Sequence, residues 1–312
     1  MRKIWLDTDP GFDDWLTMLL LAANPELDWL GISVAAGNAP LEVTYDNALR
    51  IKTHYGLSVP VYRGCALPLN GQPETAQCIL GEAGMRTTGT SLPPVAAAAA
   101  SPGMHASDVL IAAIRQYPGQ VTLLAIAPLT NVATALLRAP DIAAHIKEII
   151  LMGGSADQGN HTAAAEFNIY ADPEAADVVF RSGVPLRMFG LNLCRQLAVS
   201  KAEVARIRNM GTPRSDWLAG YLEGYLRIRS EDGAIPMPLY DPVVALYLRW
   251  PELFQFQAAH VDIELDGRFT RGMTVCEFRV PKRAAANVSI AMTTDGALAM
   301  QRLMEDLLLA LA

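Results

Sequence analysis

Residues 3–14 read Lys3-Ile4-Trp5-Leu6-Asp7-Thr8-Asp9-Pro10-Gly11-Phe12-Asp13-Asp14. Residues 3–6 have the length and apolar character of a buried strand. Pro10-Gly11 imposes a turn, and the apolar-periodic segment from Asp13 to about residue 23 reads as a helix. Strand, tight turn and helix make half of a crossover unit, and the chain repeats the pattern. Strands are expected at 27–36, 59–62, 121–127, 148–152 and 186–190, with helices at 41–55, 129–137 and 173–182. Such alternation predicts an open, mostly parallel sheet with right-handed crossovers and helices on both faces. Val121-Thr122-Leu123-Leu124-Ala125-Ile126-Ala127 and Glu148-Ile149-Ile150-Leu151-Met152 are nearly continuous apolar runs, as central strands require.

Two stretches interrupt the rhythm. Residues 65–104 are rich in Gly, Pro and Thr, contain an alanine run at 96–100, and read as a long loop region. A helix is expected over 215–229, followed by a Gly/Pro-rich segment that leads to Tyr240-Asp241-Pro242. Near the end, 261–265 and 288–292 read as strands that pair with 275–280, a small antiparallel addition. Asp295 suits the N-cap of a final helix. No linker and no internal repeat divides residues 1–312, so a single domain is expected.

Composition narrows the function classes. A chain of 312 residues with 51% hydrophobic residues and a net charge of −7 can build a large core, and it lacks the basic footprint of a nucleic-acid binder. The apolar run at 15–23 is too short to span a bilayer, and Asp7 and Asp9 stand where a signal peptide would need apolar residues. Cys65, Cys78, Cys194 and Cys276 are scattered without a Cys-x-x-Cys pair, which points to reduced thiols and a cytoplasmic setting.

Asp7, Asp9, Asp13 and Asp14 place four carboxylates within eight residues. Asp13 and Asp14 at a helix start favour the helix dipole, which is a sufficient structural reason for those two. It does not account for Asp7 and Asp9, which share a face if the strand continues. Acids gathered at the carboxyl end of a parallel strand repel one another unless a cation neutralises them, and that edge is where ligands bind in open α/β sheets. All-oxygen ligation suits Ca²⁺ or Mg²⁺.

Asp7-Thr8-Asp9-Pro10-Gly11-Phe12-Asp13-Asp14 resembles the N-terminal signature of the inosine–uridine-preferring nucleoside hydrolase family. Further motifs follow in family order. They are Ala35-Ala36-Gly37-Asn38, Pro128-Leu129-Thr130-Asn131, Leu151-Met152-Gly153-Gly154, Ala165-Glu166-Phe167-Asn168 with Asp172-Pro173-Glu174-Ala175-Ala176, Asp241-Pro242, and Gly272-Met273-Thr274-Val275. The resemblance implies a Rossmann-like nucleoside hydrolase fold and Ca²⁺-dependent hydrolysis of the N-glycosidic bond of a ribonucleoside to ribose and free base. It implies Asp9, Asp14, Asp241 and the main-chain carbonyl of Ile126 as Ca²⁺ ligands, with Asp9 also the general base. Asp7 is a further ligand or a support behind them. Asp13 and Asn168 are implied at the ribose 2′- and 3′-hydroxyls, Asn160, Glu166 and Met152 at the 5′ side, and Asn38 near the reacting centre. A homodimer or homotetramer is the expected assembly.

Read alone, several of these residues have plainer roles. Asn160, Asn168 and Asn38 suit turns, Met152 suits core, and Asp241 before Pro242 suits a helix N-cap. Glu166 and Asn168, two apart, share a face of an extended segment. Phe12, Phe167 and Trp217 suit packing.

The chain departs from the family at the base. Tyr240 stands where a histidine precedes the final Asp-Pro, and Cys78-Ile79-Leu80-Gly81-Glu82 replaces a histidine-bearing loop. A phenol near pKa 10 is a poorer acid than an imidazole. Tyr240, Arg227, Arg229 and Glu82 are the candidates to assist the leaving base, the arginines being equally suited to a solvated helix face. His161 can approach the pocket from beside Asn160, whereas His105 suits a helix start and His54, His145 and His260 suit surface or packing roles. Two other readings compete. One is a ribose- or nucleoside-binding protein with lost or reduced catalysis. The other is a Mg²⁺ phosphohydrolase, weakened by the absence of a clear lysine or Gly-rich phosphate cradle.

Overall fold

In the computed structural model, which describes residues 1–96 and 103–312, the opening segment forms strand β1 (Arg2–Thr8) and a helix, Phe12–Ala22. From Ala97 onward the alanine run lies outside the described residues. The other strands are β2 (Leu27–Val34), β3 (Val61–Arg63), β4 (Val121–Ala125), β5 (Ile146–Met152), β6 (Leu186–Phe189), β7 (Ala198–Val199), β8 (Met237–Pro238), β9 (Phe254–Ile263), β10 (Thr274–Glu277) and β11 (Val288–Thr294). Nine of them make one sheet in the order β10-β9-β11-β6-β5-β4-β1-β2-β3, and β7 pairs with β8 separately. From β11 to β3 every pairing is parallel, and β9 pairs antiparallel with both β10 and β11.

The period of two along each strand puts alternate residues into two apolar layers. Ile4 and Leu6, Leu124, and Ile150 and Met152 face one layer, which includes the helices Phe12–Ala22, Pro242–Arg249 and Gly296–Leu311. Trp5, Leu123 and Ala125, and Ile149 and Leu151 face the other, with Ala106–Gln116, Thr130–Arg138 and Pro173–Phe180. Each fully buried Leu or Ile is worth about 1.5–3 kcal/mol relative to exposure, so both helix layers are needed to hold the sheet.

The expected pairing of 288–292 with 275–280 does not form. β9 begins at Phe254, earlier than its apolar core at 261–265 suggests, and lies between β10 and β11. Phe254-Gln255-Phe256-Gln257 carries the alternation of a one-sided strand, a weaker signal than a continuous apolar run. β10 stops at Glu277, and 278–280 leave the sheet.

The chain moves from β1 outward through β2 to β3, then returns to place β4 on the other side of β1. The carboxyl ends of β1 and β4 therefore diverge into a crevice, the topological switch point of an open sheet. Asp9 and Ile126 are the first residues beyond those two ends.

Candidate active site

Past Thr8 the chain turns, and the helix Phe12–Ala22 starts with Gly11 as its N-cap. Asp14 Oδ2 accepts from the Gly11 N–H at 2.9 Å, while its Oδ1 accepts from the Thr8 hydroxyl and from the Asp9 N–H at 3.2 Å. The helix-start role expected of Asp14 takes the form of a capping bond, which fixes the carboxylate in place. The Asn38 N–H donates to Asp9 Oδ2 at 2.6 Å, and its Nδ2 donates to the Asp9 carbonyl and to Asp14 Oδ2 at 3.0 and 3.1 Å. Gly37 permits this closeness, since a Cβ there would lie 2.1 Å from Asp9 Oδ2. Asp13 Oδ2 accepts from the Tyr240 and Asp241 N–H groups at 3.1 and 3.4 Å. Asp241 heads the helix Pro242–Arg249 but makes no side-chain capping bond, so its carboxylate is not spent on the helix.

Asp7, Asp9, Asp13, Asp14 and Asp241 are all buried, and among the described residues no lysine or arginine lines the pocket that Asp9, Asp13 and Asp241 border. Burial pushes Asp7 up to about 7, and burial with repulsion from Asp14 pushes Asp13 up to about 6. Asp9 and Asp241 are driven well above the usual carboxylate range by burial and then by the neighbouring aspartates. Asp13, Asp14 and Asp241 each bring a carboxylate oxygen within 4.8 Å of the others, and Asp9 Oδ1 is buried without a partner. Crowded, uncompensated oxygens with an orphan among them fit a hard cation. Asp7 is separate. Its Oδ1 accepts from Ser33 Oγ and from Asn131 Nδ2 at 2.8 Å, and it lines no part of the pocket. The Asp7 carbonyl accepts from the Ile126 N–H at 2.8 Å, which pins the peptide preceding the Ile126 carbonyl.

The pocket is a cleft of about 230 Å³, and its wall includes Asp9, Asp13, Asn38, Ile126, Met152, Asn160, Glu166, Asn168, Tyr240 and Asp241. Asn168 Nδ2 donates to the carbonyls of Ile126 and Met152, both at 3.2 Å, which spends its donors and leaves Oδ1 as an acceptor. Asn160 Oδ1 accepts from the Phe167 N–H at 3.0 Å. The expectation that Glu166 and Asn168 share a face of an extended segment is corrected. Glu166 is the N-cap of the helix Phe167–Ala171, and its carboxylate accepts from the N–H groups of Asn168, Ile169 and Gly154. Burial pushes Glu166 up to about 7 despite these donors. They meet through a cap instead of a pleat.

The rest of the wall is apolar and aromatic. Phe12 stacks on Tyr225 with ring centroids 4.9 Å apart, and Ile79, Leu80, Met237 and Tyr240 continue the surface. Phe12 and Phe167, expected to be packing residues, border the cleft, whereas Trp217 packs on His54. Tyr225 was not foreseen, because one turn of an apolar helix face reads alike whether it meets core or cavity. Its hydroxyl donates to the Pro238 carbonyl at 2.8 Å. Burial and the Asp13 charge push the Tyr240 phenol up to about 12.

Arg227 and Arg229 do not reach the pocket. The helix Pro213–Arg229 turns Tyr221, Leu222, Tyr225 and Leu226 inward, which leaves both arginines exposed, and the Arg229 guanidinium donates to the Pro236 carbonyl. Glu82 is likewise exposed and off the lining. Among the described residues His161 is the one histidine on the wall, its Nε2 3.7 Å from Glu74 Oε1. His105 caps the helix Ala106–Gln116 by accepting from the Ser107 N–H, as a helix-start residue should.

A family model described as inosine-uridine preferring nucleoside hydrolase matches residues 4–301. The pyrimidine-specific ribonucleoside hydrolase RihB of Escherichia coli is 37% identical over 295 residues, covering 94% of this chain and 93% of its own length. Among solved structures, the purine-preferring ribonucleoside hydrolase from Gardnerella vaginalis superposes with a TM-score of 0.90 at 28% identity, with full coverage of both chains (100%). The plant nucleoside hydrolase PpNRh1 gives 0.89 at 28% identity, with 98% of each chain covered. RihB is named pyrimidine-specific and the Gardnerella vaginalis enzyme purine-preferring, so likeness alone does not select a base.

Proposed function

The chain belongs to the inosine–uridine preferring nucleoside hydrolase family, and from that membership we propose that it hydrolyses the N-glycosidic bond of ribonucleosides with the help of bound Ca²⁺. In this reading Asp9, Asp14, Asp241 and the Ile126 carbonyl hold the ion, and Asp7 supports them from behind, its main-chain carbonyl accepting from the Ile126 N–H. Asp13 and Asn168 hold the ribose 2′- and 3′-hydroxyls, Asn160, Glu166 and Met152 hold the 5′ side, and Asn38 keeps Asp9 oriented. The ion, when bound, would neutralise the crowded carboxylates and make a water more acidic. The water oxygen bonds to C1′ as the C1′–N bond breaks with its electron pair passing to the base. The water proton passes to Asp9, which borders the cleft and whose Oδ1 has no protein partner among the described residues. Contacts to the ribose hydroxyls that strengthen as positive charge builds on the sugar would lower the barrier.

The observation that carries this reading is the buried Asp9 Oδ1, which among the described residues has no partner and sits in a nest of aspartates whose pocket no basic side chain lines. A panel of purine and pyrimidine nucleosides assayed for ribose release, with and without EDTA, tests it. Release is expected from at least one nucleoside, abolished by the chelator and cut by about 10²–10⁴-fold in Asp9→Ala, the range for a general base. Calcium binding with no release from any nucleoside would favour the second reading, a nucleoside-binding protein with lost catalysis. That reading is motivated by Tyr240, a half-buried phenol and poor acid on the apolar wall.

A further inference from the structure

We propose that the Tyr240 hydroxyl hydrogen-bonds the departing base, which makes Tyr240 a catalytic and specificity-determining residue for bases that present an acceptor, a carbonyl oxygen or ring nitrogen, toward it. The inference rests on the hydrolase reading above. The cleft has two chemically distinct sides. Carboxylates and amides occupy one, suited to a cation and a polyhydroxylated sugar, and the aromatic and aliphatic wall suits a flat heterocycle. On that wall the polar groups can be taken in turn. The Tyr225 hydroxyl is committed to the Pro238 carbonyl. His161 faces Glu74 and lies against the rings of Phe167 and Tyr170. Thr75 is bonded to Gln77 Oε1 at 3.4 Å. Cys78 borders this wall with a free thiol, a weak donor, and the Tyr240 hydroxyl is the strong donor there without a protein partner among the described residues.

Its position is nonetheless built. The Tyr240 N–H donates to Asp13 Oδ2, its carbonyl accepts from Cys194 Sγ at 3.8 Å, and its ring packs on the apolar layer beneath. One carboxylate, Asp13, therefore sets the phenol relative to the sugar it is read as holding. As the C1′–N bond breaks, the electron pair passes to the base nitrogen and spreads to its acceptors. The phenol O–H shares its hydrogen with one of them and keeps its proton, and the base takes up a proton from solvent. A site built to donate to such an acceptor discriminates against ligands that lack it.

The test compares Tyr240→Phe with the unaltered protein on two substrates, the best nucleoside of the panel and p-nitrophenyl β-D-ribofuranoside, whose leaving group departs as a stable anion without help. The ratio of the two kcat/KM values is read within each preparation, so it is independent of the fraction of folded protein. For the nucleoside, kcat/KM is expected to fall about 10²-fold, as when one donor to a developing anion is removed. The nitrophenyl riboside should change by no more than about 3-fold, and calcium binding should stay unaltered. An equal fall on both substrates would overturn the proposal by placing Tyr240 on the sugar. An unchanged nucleoside rate would overturn it by making the ring a filler. Cleavage of neither substrate by the unaltered protein would instead defeat the hydrolase reading, and this inference with it.

Discussion

Gly37 lacks a side chain where Asp9 needs the space. A methyl group there would sit 2.1 Å from Asp9 Oδ2 and 2.8 Å from Pro128 Cδ, so either the carboxylate or the loop must move. Gly37→Ala is expected to lower kcat/KM by about 10²-fold, the scale of a displacement near 1 Å in a reacting group. Steady-state kinetics with a calcium titration check it; unchanged kinetics would mean that the carboxylate has slack. The Gly37-Asn38 pair was legible in the sequence as a motif and as a turn signal. Its physical purpose was not, because Asp9 lies 29 residues from Asn38 and their contact exists only once β1 and β2 are paired. The same holds for Thr130-Asn131, where Asn131 proves to brace Asp7 and the Cys65 N–H.

Among the elements, the helix Pro213–Arg229 separates what periodicity can and cannot say. Its existence is readable from residues 215–229, and Thr212 before Pro213 is a sound start signal. Which of its faces meets the cleft is not readable, because Tyr225 at a cavity and Leu226 at the core are both apolar-face positions. The double variant Arg227→Ala, Arg229→Ala is expected to keep kcat/KM within about 2-fold, as surface changes rarely exceed ~0.5 kcal/mol. A loss beyond 10-fold in nucleoside kinetics would return the arginines to the base pocket. Other elements carry local signals of their own. Ser200 and Glu203 form a capping box at the start of Lys201–Arg208, and Phe254-Gln255-Phe256-Gln257 alternates as an edge-side strand should.

For the whole molecule, the cleft is a property of strand order. Asp13 bonds the Tyr240 N–H across 227 residues, and Asp14 and Asp241 meet only because helix Pro242–Arg249 packs on helix Phe12–Ala22. An ion bound there would tie the first crossover to the last third of the chain. Calcium at 100 times its Kd is therefore expected to stabilise the fold by about 2.7 kcal/mol. In Asp241→Asn that gain should vanish, while the calcium-free protein melts no lower than the unaltered one, since one repelling charge has gone. Melting curves with calcium and with EDTA measure both, and a calcium gain retained in the variant would remove Asp241 from the ligands. The sequence by itself determined the alternating parallel architecture, the aspartate cluster at the first strand and the set of motifs, because strand and helix periods, caps and turns are local. The tertiary structure alone decided that Asp7 turns away from the cleft, that Asp9 Oδ1 is left without a partner, and that Tyr225 lines the wall while the arginines do not. Each of those depends on which distant segments the sheet order brings within hydrogen-bonding distance, and no local pattern encodes that distance.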